Sequence, residues 1–275
     1  MRVRANGIEI AFEEQGHGDR PLLLVHGFTG FRQDFATQLP ALAEHGRVLA
    51  PDLRGHGESG RTGDPTSYGF AQLTADLLGL LDALGIERCD LLGHSMGGMV
   101  AMRAALSAPE RIASLVLMDT APGPLGFVDR AQLALAARVG REAGMAALAQ
   151  ILRARAADDE ARGAPDRRVE EEWGAERFWA WRTARVAAMD PAAYEALGLA
   201  LVEQEDLTAR LGEIDCPTAV LVGELDREFR APSEALARHI PGARLFVLPG
   251  AGHQPQHEAA DAWRAAVLEH LARVR

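Results

Sequence analysis

Two hydrophobic rhythms alternate along the chain. Residues 21–25, 112–118, 218–222 and 244–248 are short runs in which nearly every position is apolar, and 47–53 and 90–95 hold shorter apolar stretches, Val48–Ala50 and Leu91–Leu92. Runs of that length and density predict strands buried on both faces. Residues 8–12 instead alternate apolar and polar, as a half-buried strand does. Between these runs, apolar residues recur at helical spacing over 33–44, 70–84, 96–107, 233–239 and 257–274, with Gly85 as a C-cap. Strands alternating with helices predict an α/β fold, with a mostly parallel central sheet flanked by helices and right-handed crossovers.

The rhythm changes after Asp119. From 121 to 211 no run reads as a strand. Ala, Arg and Glu dominate at helical spacing, broken by Pro165 and Pro191, and three of the four tryptophans (Trp173, Trp179, Trp181) fall here. The chain is therefore expected to form one α/β core, residues 1–120 and 212–275, interrupted by a helical insertion, 121–211.

Composition narrows the class. At 48% hydrophobic and 25% charged, the 275 residues suit a globular domain rather than a disordered one. The net charge of −10 and the absence of a basic run argue against nucleic-acid binding. Cys89 and Cys216 are too few for a disulfide framework, and no metal-binding cluster is expected. The N-terminal segment lacks the apolar core of a signal peptide, and no run is long enough to span a membrane, so a reducing cytoplasm is the expected location.

The strongest chemical signal is Gly93-His94-Ser95-Met96-Gly97, a G-x-S-x-G between a predicted buried strand and a predicted buried helix. So tight a turn presents the serine clear of the backbone, and the helix N-terminus below it offers unpaired N–H groups. A serine nucleophile needs a base, and the base an orienting acid. His253 lies just after the last strand, in a segment too broken by Gly and Pro for a packed core. Asp226 follows the penultimate strand and Asp119 follows the strand at 112–118. Both acids lie at carboxyl ends of strands, where sites of open α/β sheets form. Asp226 is preferred because its strand neighbours the one that bears His253.

These motifs resemble the α/β-hydrolase superfamily across nearly the whole chain. His26-Gly27-Phe28-Thr29-Gly30, Asp52 to Gly57, the serine turn, Gly223 to Asp226, and Gly252-His253 follow in the family's order. The resemblance implies Ser95 as nucleophile, Asp226 as acid, His253 as base, and an oxyanion hole from the Phe28 and Met96 N–H groups. It also implies that the insertion is a cap. His26 and His56 then shape loops rather than react. Phe28, His94, Phe127, Trp179 and Trp181 are the expected substrate contacts.

The implied activity is a serine esterase acting on a small-molecule ester through an acyl-enzyme, without metal or organic cofactor. Activity would need neutral His253 and so fall in acid. A carbon–carbon bond hydrolase or lyase is the alternative on the same machinery, and a ligand receptor with a slow triad is a third. Dehalogenases and epoxide hydrolases of this fold use an aspartate nucleophile, which Ser95 disfavours. A menaquinone-pathway synthase with a similar His26–Gly30 loop carries an arginine soon after its nucleophile, where this chain has Gly97-Gly98-Met99. Phe28, Phe31, Met96, Leu125, Phe127 and the tryptophans predict an apolar acyl pocket; the cap arginines Arg182 and Arg185 are the alternative, as partners for a carboxylate-bearing substrate.

Overall fold

The computed structural model describes residues 1–158 and 163–275. Eight strands form one sheet: β1 (Arg2–Ala5), β2 (Ile8–Gln15), β3 (Leu22–Val25), β4 (Val48–Pro51), β5 (Cys89–His94), β6 (Ile112–Met118), β7 (Thr218–Gly223) and β8 (Arg244–Leu248). Their spatial order is β1-β2-β4-β3-β5-β6-β7-β8. β1 and β2 pair antiparallel at one edge, β2 meets β4 antiparallel, and every other pair is parallel. The continuous apolar runs have a direct cause in this arrangement. In β3, Leu22 and Leu24 point into one core while Leu23 and Val25 point into the other, and Val116 and Met118 of β6 oppose Leu115 and Leu117 in the same way. Each such leucine or valine, fully withdrawn from water, contributes about 1.5–3 kcal/mol.

Eleven α-helices are formed by the described residues. In the core these are α1 (Leu39–Ala43), α2 (Phe70–Ala83) and α3 (Met96–Ser107). Then come α4 (Arg130–Glu142), α5 (Met145–Asp158), α6 (Ala164–Trp173), α7 (Ala175–Ala187) and α8 (Pro191–Glu203), all between β6 and β7. The chain closes with α9 (Arg227–His239), α10 (Pro255–Glu258) and α11 (Ala260–Val274). Helices α2, α3 and α9 cover one face of the sheet, and α1 and α11 the other, where Trp263 is fully buried and its indole N–H meets Met118 Sδ at 2.8 Å. None of these helices is long and apolar enough to cross a membrane.

Three sequence expectations shift. β1 was not expected: it is short, carries Arg2 and Arg4, and survives as an edge strand through its pairing with β2. The stretch 33–44 is not one helix but a 3-10 turn (Arg32–Phe35) and the short α1, whose start is set by Pro40. Helix α9 starts at Arg227, not near 233, with Pro232 inside it. Proline there costs a hydrogen bond but leaves the helix intact, so it is a poor marker of the boundary.

Helices α4–α8 rest on loops that follow strands. Trp181 Nε1 of α7 donates to Asp34 Oδ1 after β3 at 3.1 Å. Asp190, which caps α8, donates its N–H to Gly55 O after β4 at 2.8 Å and accepts the Tyr68 hydroxyl at 2.6 Å. Arg168 of α6 donates to Gly250 O after β8 at 2.5 Å. The five helices therefore face the carboxyl ends of the strands. Residues 159–162 of the expected insertion lie outside the described residues.

Candidate active site

β5 ends at His94 and α3 begins at Met96, so Ser95 alone makes the turn between them. Its φ of 53° and ψ of −118° lie where an L-residue with a side chain is strained by about 1–3 kcal/mol. Four hydrogen bonds hold it there. The Ser95 N–H donates to Met118 O at 2.9 Å, and Ser95 O accepts Gly98 N–H at 2.9 Å, Met99 N–H at 3.2 Å and Thr120 Oγ1 at 2.7 Å. Glycine is needed on either side: a Cβ on Gly97 would strike the Val25 and His26 carbonyls, and one on Gly93 the backbone of Gly97. The result is a serine side chain at the sheet's carboxyl edge, 8% exposed.

Two backbone N–H groups flank that serine. Met96 opens α3, and its N–H makes no backbone hydrogen bond among the described residues; nor does that of Phe28. Phe28 sits in a turn closed by Gly30 N–H to Gly27 O at 2.9 Å, with Thr29 at φ 58°. The turn is braced from behind. His26 Nδ1 donates to Gly27 O at 2.9 Å, and Nε2 accepts Leu53 N–H at 3.0 Å. Burial drives the His26 imidazole down to about 3, so it stays neutral and keeps this donor–acceptor pattern. His56, tilted against it at 5.0 Å, is likewise buried and pushed to about 3.

His253 reaches in from the loop after β8. Its Nδ1 donates to Asp226 Oδ2 at 2.7 Å, which leaves Nε2 as the unprotonated nitrogen. Phe229 stacks on the ring at 4.7 Å. His94, 1% exposed, donates from Nε2 to the His253 carbonyl at 2.7 Å and leaves Nδ1 without a partner. It therefore fixes the histidine loop from below rather than facing solvent. The loops after β7 and β8 are joined by Leu225 N–H to Ala251 O at 2.7 Å.

Asp119 lies behind Asp226, not against His253. Its Oδ1 accepts Gly223 N–H at 2.9 Å. Its Oδ2, fully buried, accepts nothing. Ligand atoms of Asp119, Asp226 and His253 lie within 4.8 Å of one another. Burial, with the neighbouring Asp226 charge, raises Asp119 well above the ordinary carboxyl range, so it holds a proton to donate to Asp226. At Asp226 burial also favours the neutral form, but the His253 hydrogen bond and charge, with the Asp119 bond, outweigh it and keep Asp226 below its usual value. Asp226 accepts from His253, and Asp119, held toward its neutral form, stands beside it. A cation would have to break the His253–Asp226 bond to take those atoms as ligands.

The His253 loop has one more anchor that the sequence did not suggest. Glu258 accepts Gly252 N–H at 2.6 Å and Gln254 N–H at 3.1 Å, and burial lifts its carboxyl to about 7. The unfolded chain gives up this proton near the ordinary carboxyl value, whereas the folded chain keeps it until about 7. Stability therefore falls as pH rises through that window. Glu258→Gln retains an acceptor oxygen and removes the ionisation. The variant is expected to gain on the order of 2 kcal/mol over the wild type between pH 5 and pH 8. Urea unfolding at both values measures it, and a difference independent of pH would contradict the assignment.

The expected substrate contacts separate. Phe28 packs tilted on Tyr194 at 5.1 Å. Trp179 lines a cavity of about 270 Å³ together with Thr29, next to Phe28. Trp181 meets Trp173 and His257 edge-on, with its N–H on Asp34. Phe127 is 47% exposed and touches Phe229 edge-on at 5.5 Å, one ring removed from His253. Phe31, Leu125 and Met96 are buried in the core.

The model of the alpha/beta hydrolase fold family matches residues 20–260, and the chain belongs to that family. It is 35% identical over 269 residues to the dihydrolipoyllysine-residue acetyltransferase component of the acetoin cleaving system of Pseudomonas putida; the match covers 94% of this chain and 65% of that relative. Two solved structures superpose with TM-scores of 0.83. One is an enol-lactonase from Burkholderia xenovorans, 29% identical, with 99% of this chain and 100% of that one covered. The other is a thermophilic esterase from Thermogutta terrifontis solved with malate bound, 31% identical, with 100% and 98% covered.

Proposed function

We propose that the protein is a serine hydrolase that cleaves carboxylic esters through an acyl-enzyme. Ser95 Oγ attacks the acyl carbonyl while His253 Nε2 takes its proton. Asp226 holds the imidazole in that tautomer and stabilises the imidazolium. The Phe28 and Met96 N–H groups receive the oxyanion, where removal of a single donor typically costs about 10²–10³ in rate. His253 then protonates the leaving alcohol, and a water activated by the same nitrogen releases the acid. No metal or organic cofactor enters these steps. Helices α4–α8 act as the cap over the site.

The single observation that carries this reading is Ser95 at a strained turn between two unpaired N–H groups, on the strand edge from which the Asp226–His253 pair also projects. The esterase and enol-lactonase named among the relatives favour an ester or lactone as the substrate. A fluorophosphonate probe tests it. Intact-mass analysis is expected to show one stoichiometric adduct, mapped to Ser95 and blocked by prior incubation with a slow ester. An adduct elsewhere, or none, overturns the reading.

A further inference from the structure

The cavity beside the Phe28 turn is cationic. Its lining includes Thr29, Trp179 and Thr183, with Arg153, Arg182 and Arg185, and contains no carboxylate among the described residues. That is a marked local excess in a chain of net charge −10. Arg185 is the deepest of the three, its side chain 11% exposed. Its Nε forms an ion pair with Asp34 Oδ1 at 3.2 Å, and its guanidinium lies over the Trp181 ring at 4.9 Å. The Thr183 hydroxyl, also buried, has no partner. Arg182 is held by Asp166 from outside the cavity, and Arg153 lies over the Trp179 ring at 5.7 Å. A buried donor without an acceptor, as the Thr183 hydroxyl is among the described residues, is costly unless something occupies the space it faces.

Position says which part of a substrate that is. Arg182 and Arg185 also border the larger cavity that contains His253 and Asp226. The leaving group must depart toward the histidine that protonates it. The acyl carbon, bonded to Ser95 and with its oxygen at the Phe28 turn, must extend the other way, toward Thr29. We infer that the cationic cavity is an acyl-side subsite for a carboxylate, so that the substrate class is a half-ester or lactone of a dicarboxylic acid. This inference rests on the hydrolase reading and replaces the apolar pocket expected from the sequence. The outer edge of a guanidinium whose Nε side faces Asp34 presents two parallel N–H donors, the fork a carboxylate fits. Arg54 and Arg103, nearer to Ser95 in sequence, are engaged elsewhere: Arg54 on Asp76 at 2.6 and 2.7 Å, Arg103 on Gln204 and the Phe70 ring.

The test compares 4-nitrophenyl hydrogen adipate with 4-nitrophenyl methyl adipate, which differ only in the distal charge. Wild type is expected to favour the anion at least about tenfold in kcat/KM, chiefly through KM. Arg185→Gln and Arg153→Gln are each expected to reduce that ratio at least about threefold. A wild-type ratio near one, or a ratio undiminished in both variants, overturns the subsite while leaving ester hydrolysis standing. A readout without turnover keeps the two claims apart: free adipate should raise the melting temperature of Ser95→Ala and fail to raise that of Ser95→Ala carrying Arg185→Gln. No rise in Ser95→Ala, or an equal rise with inorganic phosphate, overturns the carboxylate assignment.

Discussion

Ser95→Ala is expected to lower kcat on a 4-nitrophenyl ester by about 10⁴-fold or more and to leave the fold intact. The size follows from losing covalent catalysis altogether, since the remaining N–H donors and His253 assist only direct attack by water. Ser95→Gly separates chemistry from strain. It is expected to be as inactive as the alanine variant, yet more stable by about 1 kcal/mol, because glycine adopts φ near 53° without steric cost. Steady-state rates and thermal melts on rigorously purified protein check both. Turnover close to wild type in Ser95→Ala removes the serine from the nucleophile's role. A glycine variant less stable than the alanine one removes strain from the account of the turn.

Asp226→Asn and Asp119→Asn, chemically the same change, are expected to differ by about three orders of magnitude or more. Asparagine at 226 offers His253 Nδ1 an amide that favours the wrong tautomer and cannot stabilise the imidazolium, which costs about 10⁴ in kcat. Asparagine at 119 mimics a neutral aspartic acid: its oxygen still accepts Gly223 N–H, and its NH₂ can donate toward Asp226. Activity there should stay within about threefold of wild type, whereas Asp119→Leu, which removes the donor, should fall further. The kcat/KM profiles of the four proteins against pH are the measurement. A crippled Asp119→Asn beside a mild Asp226→Asn would make Asp119 the working acid.

Most of the sheet could be read from single runs of residues because strands buried on both faces have no polar alternation to obscure them. Leu22–Val25 and Ile112–Met118 are such runs. The turn at Ser95 was legible for a related reason, since a serine between glycines at that spacing leaves few other geometries. The convergence of Asp226 and His253 followed from their placement after neighbouring strands. What stayed hidden depends on side chains meeting across long separations. Asp119 and Asp226 are 107 positions apart, and nothing near either one says that one stands behind the other and holds a proton. His94 reads as a neighbour of the nucleophile until its bond to the His253 carbonyl is seen. Arg182 and Arg185 could be named from the sequence as partners of a carboxylate, but a sequence does not show that they share one cavity with Trp179 and Arg153. Arg2–Ala5 gave no strand signal because an edge strand with two arginines owes its structure to its partner.

Ser95, Asp226, His253, Phe28 and Met96 all stand on the sheet side of the molecule, whereas Arg153, Arg182 and Arg185 stand on helices inserted between β6 and β7. Those two strands are adjacent, paired from Leu115 with Thr218 to Met118 with Leu221. The excursion leaves and returns at one place, so its length and sequence make no demand on strand register. On the proposed reading, reactivity and selectivity are thus inherited as separate blocks. A lineage that exchanged the helices for another set would change what is accepted while keeping how the bond is broken, and a laboratory chimera joined at the same two points would do so in one step.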